Sequence, residues 1–239
     1  MIPGPESRKQ LERLKRVWEQ GEHILISGAT KSGKTALARH VVEQRAQRGG
    51  YVVVFVAKPN RDETIIEDYL NKGFVKWTKF KKPSTWERRV LLWPNTSRLK
   101  TDKEKLAHQK DVFLDAFDKI NDKGKWTVQI DEGLYTVSPT FLGMSENLAM
   151  SHAVGRSNNL TMVTLTQRPA HLPLIIYGSA SHAFVGRTRE LSDQKRLAEL
   201  GALESSRELA ARIAGNGRHD FTWIPVAPDW PAETINLAR

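Results

Sequence analysis

Residues Gly28-Ala29-Thr30-Lys31-Ser32-Gly33-Lys34-Thr35 read G-x-x-x-x-G-K-T, the spacing of a phosphate-binding P-loop. An apolar run, His23 to Ser27, precedes the loop, and a helical pattern from Ala36 to Arg48 follows it. That strand–loop–helix context gives the motif its meaning; a chance glycine-rich turn beside a lysine would lack it. The two glycines let the backbone fold back so that successive N–H groups point at phosphate oxygens. The helix that follows adds the positive end of its dipole. Lys34 is expected to reach the β- and γ-phosphates and the Thr35 hydroxyl to sit on Mg²⁺. The loop from Gly28 through Ala29, Thr30, Lys31, Ser32, Gly33 and Lys34 to Thr35 is therefore the expected cradle of a nucleoside triphosphate.

A chain of 239 residues accommodates one α/β domain with a full core and small appendages. The absence of cysteine excludes a disulfide framework and thiolate metal sites, and fits a reducing compartment. No apolar run approaches the roughly 18 residues that span a bilayer. The stretch from Met1 to Gln20 is charged and lacks the apolar centre of a signal peptide, so a cytoplasmic location is expected. Lys and Arg number 37 against 27 Asp and Glu, a formal charge of +10. A balance this basic favours a polyanionic partner, nucleic acid or an anionic membrane surface, over generic solubility charge.

Residues 1–20 read as an N-terminal helical extension, with Leu11, Leu14 and Trp18 on one face, lying on the main domain or on a neighbouring subunit. Gly49-Gly50 stops the helix after the P-loop, and Tyr51 to Ala57 is a continuous β-branched run of the kind buried in a parallel sheet. A loop at Lys58 to Asp62 and a short helix from Glu63 to Leu70 follow. Residues 73–100 form an irregular basic and aromatic segment in which Phe74, Trp77, Phe80 and Trp86 alternate with lysines and arginines up to Arg89. Two readings stay open for it: stacking and phosphate contact with nucleic acid, or aromatics anchoring a surface excursion whose lysines stay solvated. Arg89 to Pro94 is a further short strand. Lys103 to Ile120 is a long amphipathic helix, Trp126 to Glu132 a strand, Glu146 to Arg156 a helix and Leu160 to Thr166 a strand. A strand at His182 to Gly186, helices over Glu190 to Ala214 and a strand near Phe221 to Ile224 complete the pattern, and residues 227–239 read as an extended tail. Strands alternating with helices predict a mostly parallel central sheet flanked by helices.

Hydrolysis needs more than a phosphate cradle: a metal anchor, a group that orients water, and charge on the transition state. Asp131 and Glu132 close an apolar strand downstream of the P-loop. Asp131 suits the Mg²⁺ water shell, and Glu132 suits positioning or deprotonating the attacking water. The D-x-x-G and N-K-x-D motifs of GTPases do not occur, which leaves ATP as the expected nucleotide. Glu-containing ATPases are expected to carry an additional strand between the P-loop strand and the Asp-Glu strand, and Tyr51 to Ala57 is the candidate. Gln167, at the C-terminal end of its strand, can touch the γ-phosphate or the water, or be a plain loop glutamine.

Ile130-Asp131-Glu132, the helix ending Gly155-Arg156-Ser157-Asn158-Asn159, and Leu165-Thr166-Gln167-Arg168-Pro169 resemble the FtsK/HerA superfamily of DNA-pumping ATPases. The resemblance runs from Ile24 to about Gly201 and implies a RecA-like P-loop fold working as a homo-oligomeric, usually hexameric, ring on double-stranded DNA. It implies a sensor role for Gln167 and an arginine finger reaching the neighbour's γ-phosphate. Arg156 matches the family's arginine, with Arg187 and Arg189 as second choices. The catalytic set is then Lys34, Glu132, Gln167 and Arg156, with Thr35 and Asp131 on the metal. Genome packaging or another mobile-element role, with a portal, capsid or recombination protein as partner, fits a chain that is nearly the motor alone. A morphogenesis or secretion ATPase moving protein is the alternative.

Overall fold

The computed structural model describes residues 5–57, 63–83, 87–188, 190–198, 206–225 and 233–237. The loop expected at Lys58 to Asp62, Trp86, and Arg189 lie outside the described residues.

Helix α1 (Pro5–Val17) leads into β1 (His23–Ser27), the P-loop and α2 (Lys34–Gln47), then β2 (Tyr51–Phe55), α3 (Glu63–Leu70), β3 (Val75–Trp77) and β4 (Arg89–Leu92). The long helix α4 (Asp102–Lys123) precedes β5 (Trp126–Ile130), α5 (Gly133–Val137), α6 (Ser145–Val154) and β6 (Thr161–Thr166). A short 3₁₀ turn (Pro169–His171), α7 (Leu174–Gly178), β7 (Ala180–Val185), α8 (Leu191–Ala198), α9 (Ser206–Ala214), β8 (Asp220–Pro225) and β9 (Glu233–Asn236) follow.

The strands form one sheet in the order β3-β4-β2-β5-β6-β1-β7-β8-β9. Every pairing from β3 through β7 is parallel, and β8 and β9 close the far edge antiparallel. β5 and β6 are buried along their whole length, as strands covered on both faces must be. Alternate residues go to opposite sides: Leu25, Val53, Phe55, Val128 and Ile130 meet α4 through Phe113, Phe117 and Ile120. Ile24, Ile26, Val52, Val54, Val163 and Leu165 meet α2 through Leu37, Val41 and Val42.

Helix α1 docks on its own chain. Leu11, Leu14 and Trp18 are buried in the α2 layer, the Gln44 amide donates to the Leu11 carbonyl at 3.0 Å, and the Arg45 guanidinium stacks 4.2 Å from the Trp18 ring centroid.

Three expectations change. The strand between β1 and β5 is β6, not Tyr51–Ala57; β2 lies on the outer side of β5. The segment expected to be irregular contributes edge strand β3, and Phe74, Trp77 and Phe80 are buried, Trp77 and Phe80 edge-to-face at 5.6 Å. The anchoring reading holds for these three: they have no free face for a base, while Lys76, Lys79, Lys81 and Lys82 stay exposed, the Lys76 ammonium 3.6 Å from the Trp93 ring centroid. Within the expected tail, Glu233–Asn236 pairs with β8 from Trp223 to Asp220.

Buried His23 lies at the opposite end of β1 from the P-loop. It accepts from the Met162 N–H at 3.0 Å through Nδ1 and donates through Nε2 to the His152 carbonyl at 3.1 Å. Burial, aided by the nearby Arg156 charge and opposed by that carbonyl, pushes its pKa down to about 4, so it works as a neutral two-way connector between β6 and α6.

α4 ends at Gly124, which has φ +60°, and a Cβ there would lie 2.0 Å from the Asn158 carbonyl oxygen. Gly124→Ala is expected to destabilise the fold by roughly 2–3 kcal/mol, measured by chemical denaturation. Gly178→Ala, where a Cβ meets nothing within 4 Å, is the control.

Candidate nucleotide site

Parallel pairing puts four strand ends at one edge. Ser27 of β1 is level with Thr166 of β6 and Val185 of β7, and Ile130 of β5 with Thr164 of β6. The residues that follow those ends, Gly28, Asp131-Glu132, Gln167 and Gly186-Arg187, therefore converge where ligands bind in open α/β sheets.

The P-loop backbone turns through two left-handed residues, Lys31 at φ 62° and Gly33 at φ 99°. Gly33 is the N-cap of α2 and gives its first turn no side-chain cap, so the first N–H groups face the loop, ready for an anion. Gly28 is packed close: a Cβ there would lie 3.0 Å from Ser32 Oγ and 3.4 Å from the Gly186 Cα.

Lys34 is buried, and a buried ammonium must find acceptors. Its Nζ donates to the carbonyls of Gly28 at 2.8 Å and Ala29 at 2.9 Å, placing the charge under the loop's concave side. The Thr35 hydroxyl donates to Asp131 Oδ1 at 3.1 Å. Glu132, also buried, is the N-cap of α5; its Oε2 accepts from the Gln167 amide at 2.9 Å, and Gln167 Oε1 accepts from the Thr30 hydroxyl at 2.6 Å. Lys34, Thr35, Asp131, Glu132 and Gln167 are thus brought together.

Arg156 is not. It sits exposed in the turn before β6, its carbonyl 3.3 Å from a Cβ built on Gly21, at the N-terminal edge of the sheet. The six residues of β6 separate it from Gln167 by about 20 Å, so it cannot serve its own P-loop. Arg187 lies exposed at the P-loop edge.

Two contributors carry no signal in the sequence. His219 Nδ1 bonds the Ser32 carbonyl at 3.1 Å across 187 residues. Asp193, buried on α8, accepts from the Ala170 N–H at 2.8 Å and pairs with the Arg168 guanidinium at 3.1 Å, fixing the loop after Gln167.

No family model and no curated protein matches the sequence. Solved structures do match the fold. The genome-packaging NTPase B204 of Sulfolobus turreted icosahedral virus 2, in complex with sulfate, superposes with TM-score 0.61 at 14% identity, covering 92% of this chain and 98% of that one. VirB4 of Thermoanaerobacter pseudethanolicus gives 0.65 at 10% identity over 91% and 89%. The chain shares the fold of these proteins, a mostly parallel sheet flanked by helices. A third match with this fold, the cytoplasmic domain of the type VII secretion ATPase EccC of Thermomonospora curvata, gives 0.50 at 16% identity over 92% of this chain and 26% of that one. In this chain the strand carrying Gln167 separates the P-loop strand from the Asp-Glu strand.

Lys34→Ala removes the charge seated beneath the loop and is expected to weaken ATP binding at least about 100-fold, measured by titration with a fluorescent ATP analogue.

Proposed function

We propose that this chain is an ATP-hydrolysing motor of the FtsK/HerA type that translocates or packages double-stranded DNA as a homo-oligomeric, hexameric ring in the cytoplasm. The observation that carries the ATPase reading is the set of hydrogen bonds Thr35–Asp131 and Gln167–Glu132 around the buried Lys34 ammonium, at one sheet edge.

In this reading the backbone N–H groups of the loop and the start of α2 hold the phosphates of ATP, and Lys34 turns from the Gly28 and Ala29 carbonyls to the β- and γ-phosphates. A hydroxyl and a carboxylate oxygen 3.1 Å apart suit a hard, oxygen-preferring cation, so Thr35 and Asp131 would hold Mg²⁺, Asp131 through its water shell. When bound, Mg²⁺ neutralises charge on the phosphate oxygens. Glu132 orients the attacking water and takes its proton, and Gln167 positions the γ-phosphate or the water beside it. The remaining charge comes from a neighbour: Arg156 sits on the far edge of its own sheet, where a head-to-tail contact would present it to the next subunit's loop, and such contacts form a ring when the rotation between subunits closes.

The charge of +10 and the exposed lysines between 72 and 82 support a DNA polyanion as the cargo, with a portal, capsid or recombination protein as the docking partner. The burial of Phe74, Trp77 and Phe80 removes an aromatic platform for single strands and is the observation that keeps open a second reading, an ATPase that moves protein. Among the described residues no helix is long and apolar enough to cross a membrane.

Turnover is expected to rise several-fold with long double-stranded DNA and to lose that stimulation as salt rises from about 50 to 200 mM. Robust turnover indifferent to DNA at all salt concentrations would favour a protein cargo.

A further inference from the structure

Thr30 and Gln167 touch at 2.6 Å, and the polarity of that contact is determined by its other end. The Glu132 carboxylate only accepts hydrogen bonds, so the Gln167 side chain must present Nε2 to it, as it does at 2.9 Å. Gln167 Oε1 then faces the P-loop, and the group that meets it there must donate. A threonine hydroxyl can; an aliphatic side chain cannot. With the amide turned over, Oε1 would face a carboxylate oxygen and the contact would be repulsive.

From this geometry we propose that Thr30, through its side-chain hydroxyl, is a positioning residue for hydrolysis: Glu132 sets which way round the Gln167 amide lies, and Thr30, by donating to Oε1, holds that amide in place beside Glu132. The proposal rests on the ATPase reading of the site. Thr30 is exposed on the loop, preceding the left-handed Lys31, so its position follows the loop backbone. The pair Thr30–Gln167 joins the element that holds phosphate to the carboxylate that handles water. Gln167 has a second N–H for a phosphate oxygen or the water, and that hydrogen is aimed correctly only while Oε1 is held. Thr30 touches no reacting atom in this role; it acts on the amide.

The test is a mutant cycle on the ATPase activity of the 239-residue chain. Thr30→Val keeps the shape and removes the donor; it is expected to lower kcat about tenfold and change KM by less than about threefold, the mark of an interaction used in the transition state. Thr30→Ser keeps the donor and is expected to retain at least half of the wild-type kcat. In a Gln167→Ala background, Thr30→Val is expected to cost nothing further, because the group it positions is gone. The proposal is overturned if Thr30→Val leaves kcat unchanged, if Thr30→Ser falls as far as Thr30→Val, or if the double variant shows the product of the two single losses. A wild-type chain that does not hydrolyse ATP would instead overturn the ATPase reading itself.

Discussion

β6 is hydrogen-bonded on both sides, to β1 and to β5, in parallel register. Because all three strands run the same way, the residues after their last hydrogen-bonded positions emerge at one edge, and the loop after β1, the carboxylates after β5 and the glutamine after β6 face a common space. Slide β6 by one residue and Thr164 and Thr166 exchange faces with Val163 and Leu165, burying polar groups against α2 and carrying Gln167 away from Glu132. The two apolar layers prevent that slip: Met162 belongs to the layer under α4 and Val163 and Leu165 to the layer under α2. The strand ends that carry the site are thus placed by core packing.

The edge opposite the nucleotide is built differently. Gly155 is wedged against His23, with a Cβ there 2.5 Å from the imidazole Cε1, and the neutral His23 joins the Met162 N–H to the His152 carbonyl. This packing sets the turn that presents Arg156 outward. In the proposed ring, the P-loop edge and the turn that carries Arg156 are held at a fixed separation by the length of β6.

The central strands were legible because β1, β2, β5 and β6 are short runs rich in apolar and β-branched residues. The P-loop and the Asp131-Glu132 pair could be read from spacing alone. Sheet order could not, since it depends on which crossover packs where, and Tyr51–Ala57 was the natural but mistaken choice for the strand beside the P-loop strand. β3 escaped because it has three residues, two of them exposed, and the adjacent Lys76 masks the inward Trp77. β9 follows a proline-containing stretch that reads as a tail, yet Ile235 and Leu237 are fully buried. The His219 contact to Ser32 joins residues far apart in sequence, and no local pattern announces it.

In the proposed mechanism Glu132 handles the attacking water, and Glu132→Gln is the most direct measurement. The substitution keeps the shape and the contact to Gln167 while removing the carboxylate proposed to take the proton. ATP binding, followed by fluorescent-analogue titration, is expected to stay within about threefold of wild type, while turnover falls at least about 100-fold. Turnover at the wild-type rate would show that another group handles the water and would contradict the arrangement of Lys34, Asp131, Glu132 and Gln167 as a hydrolytic site.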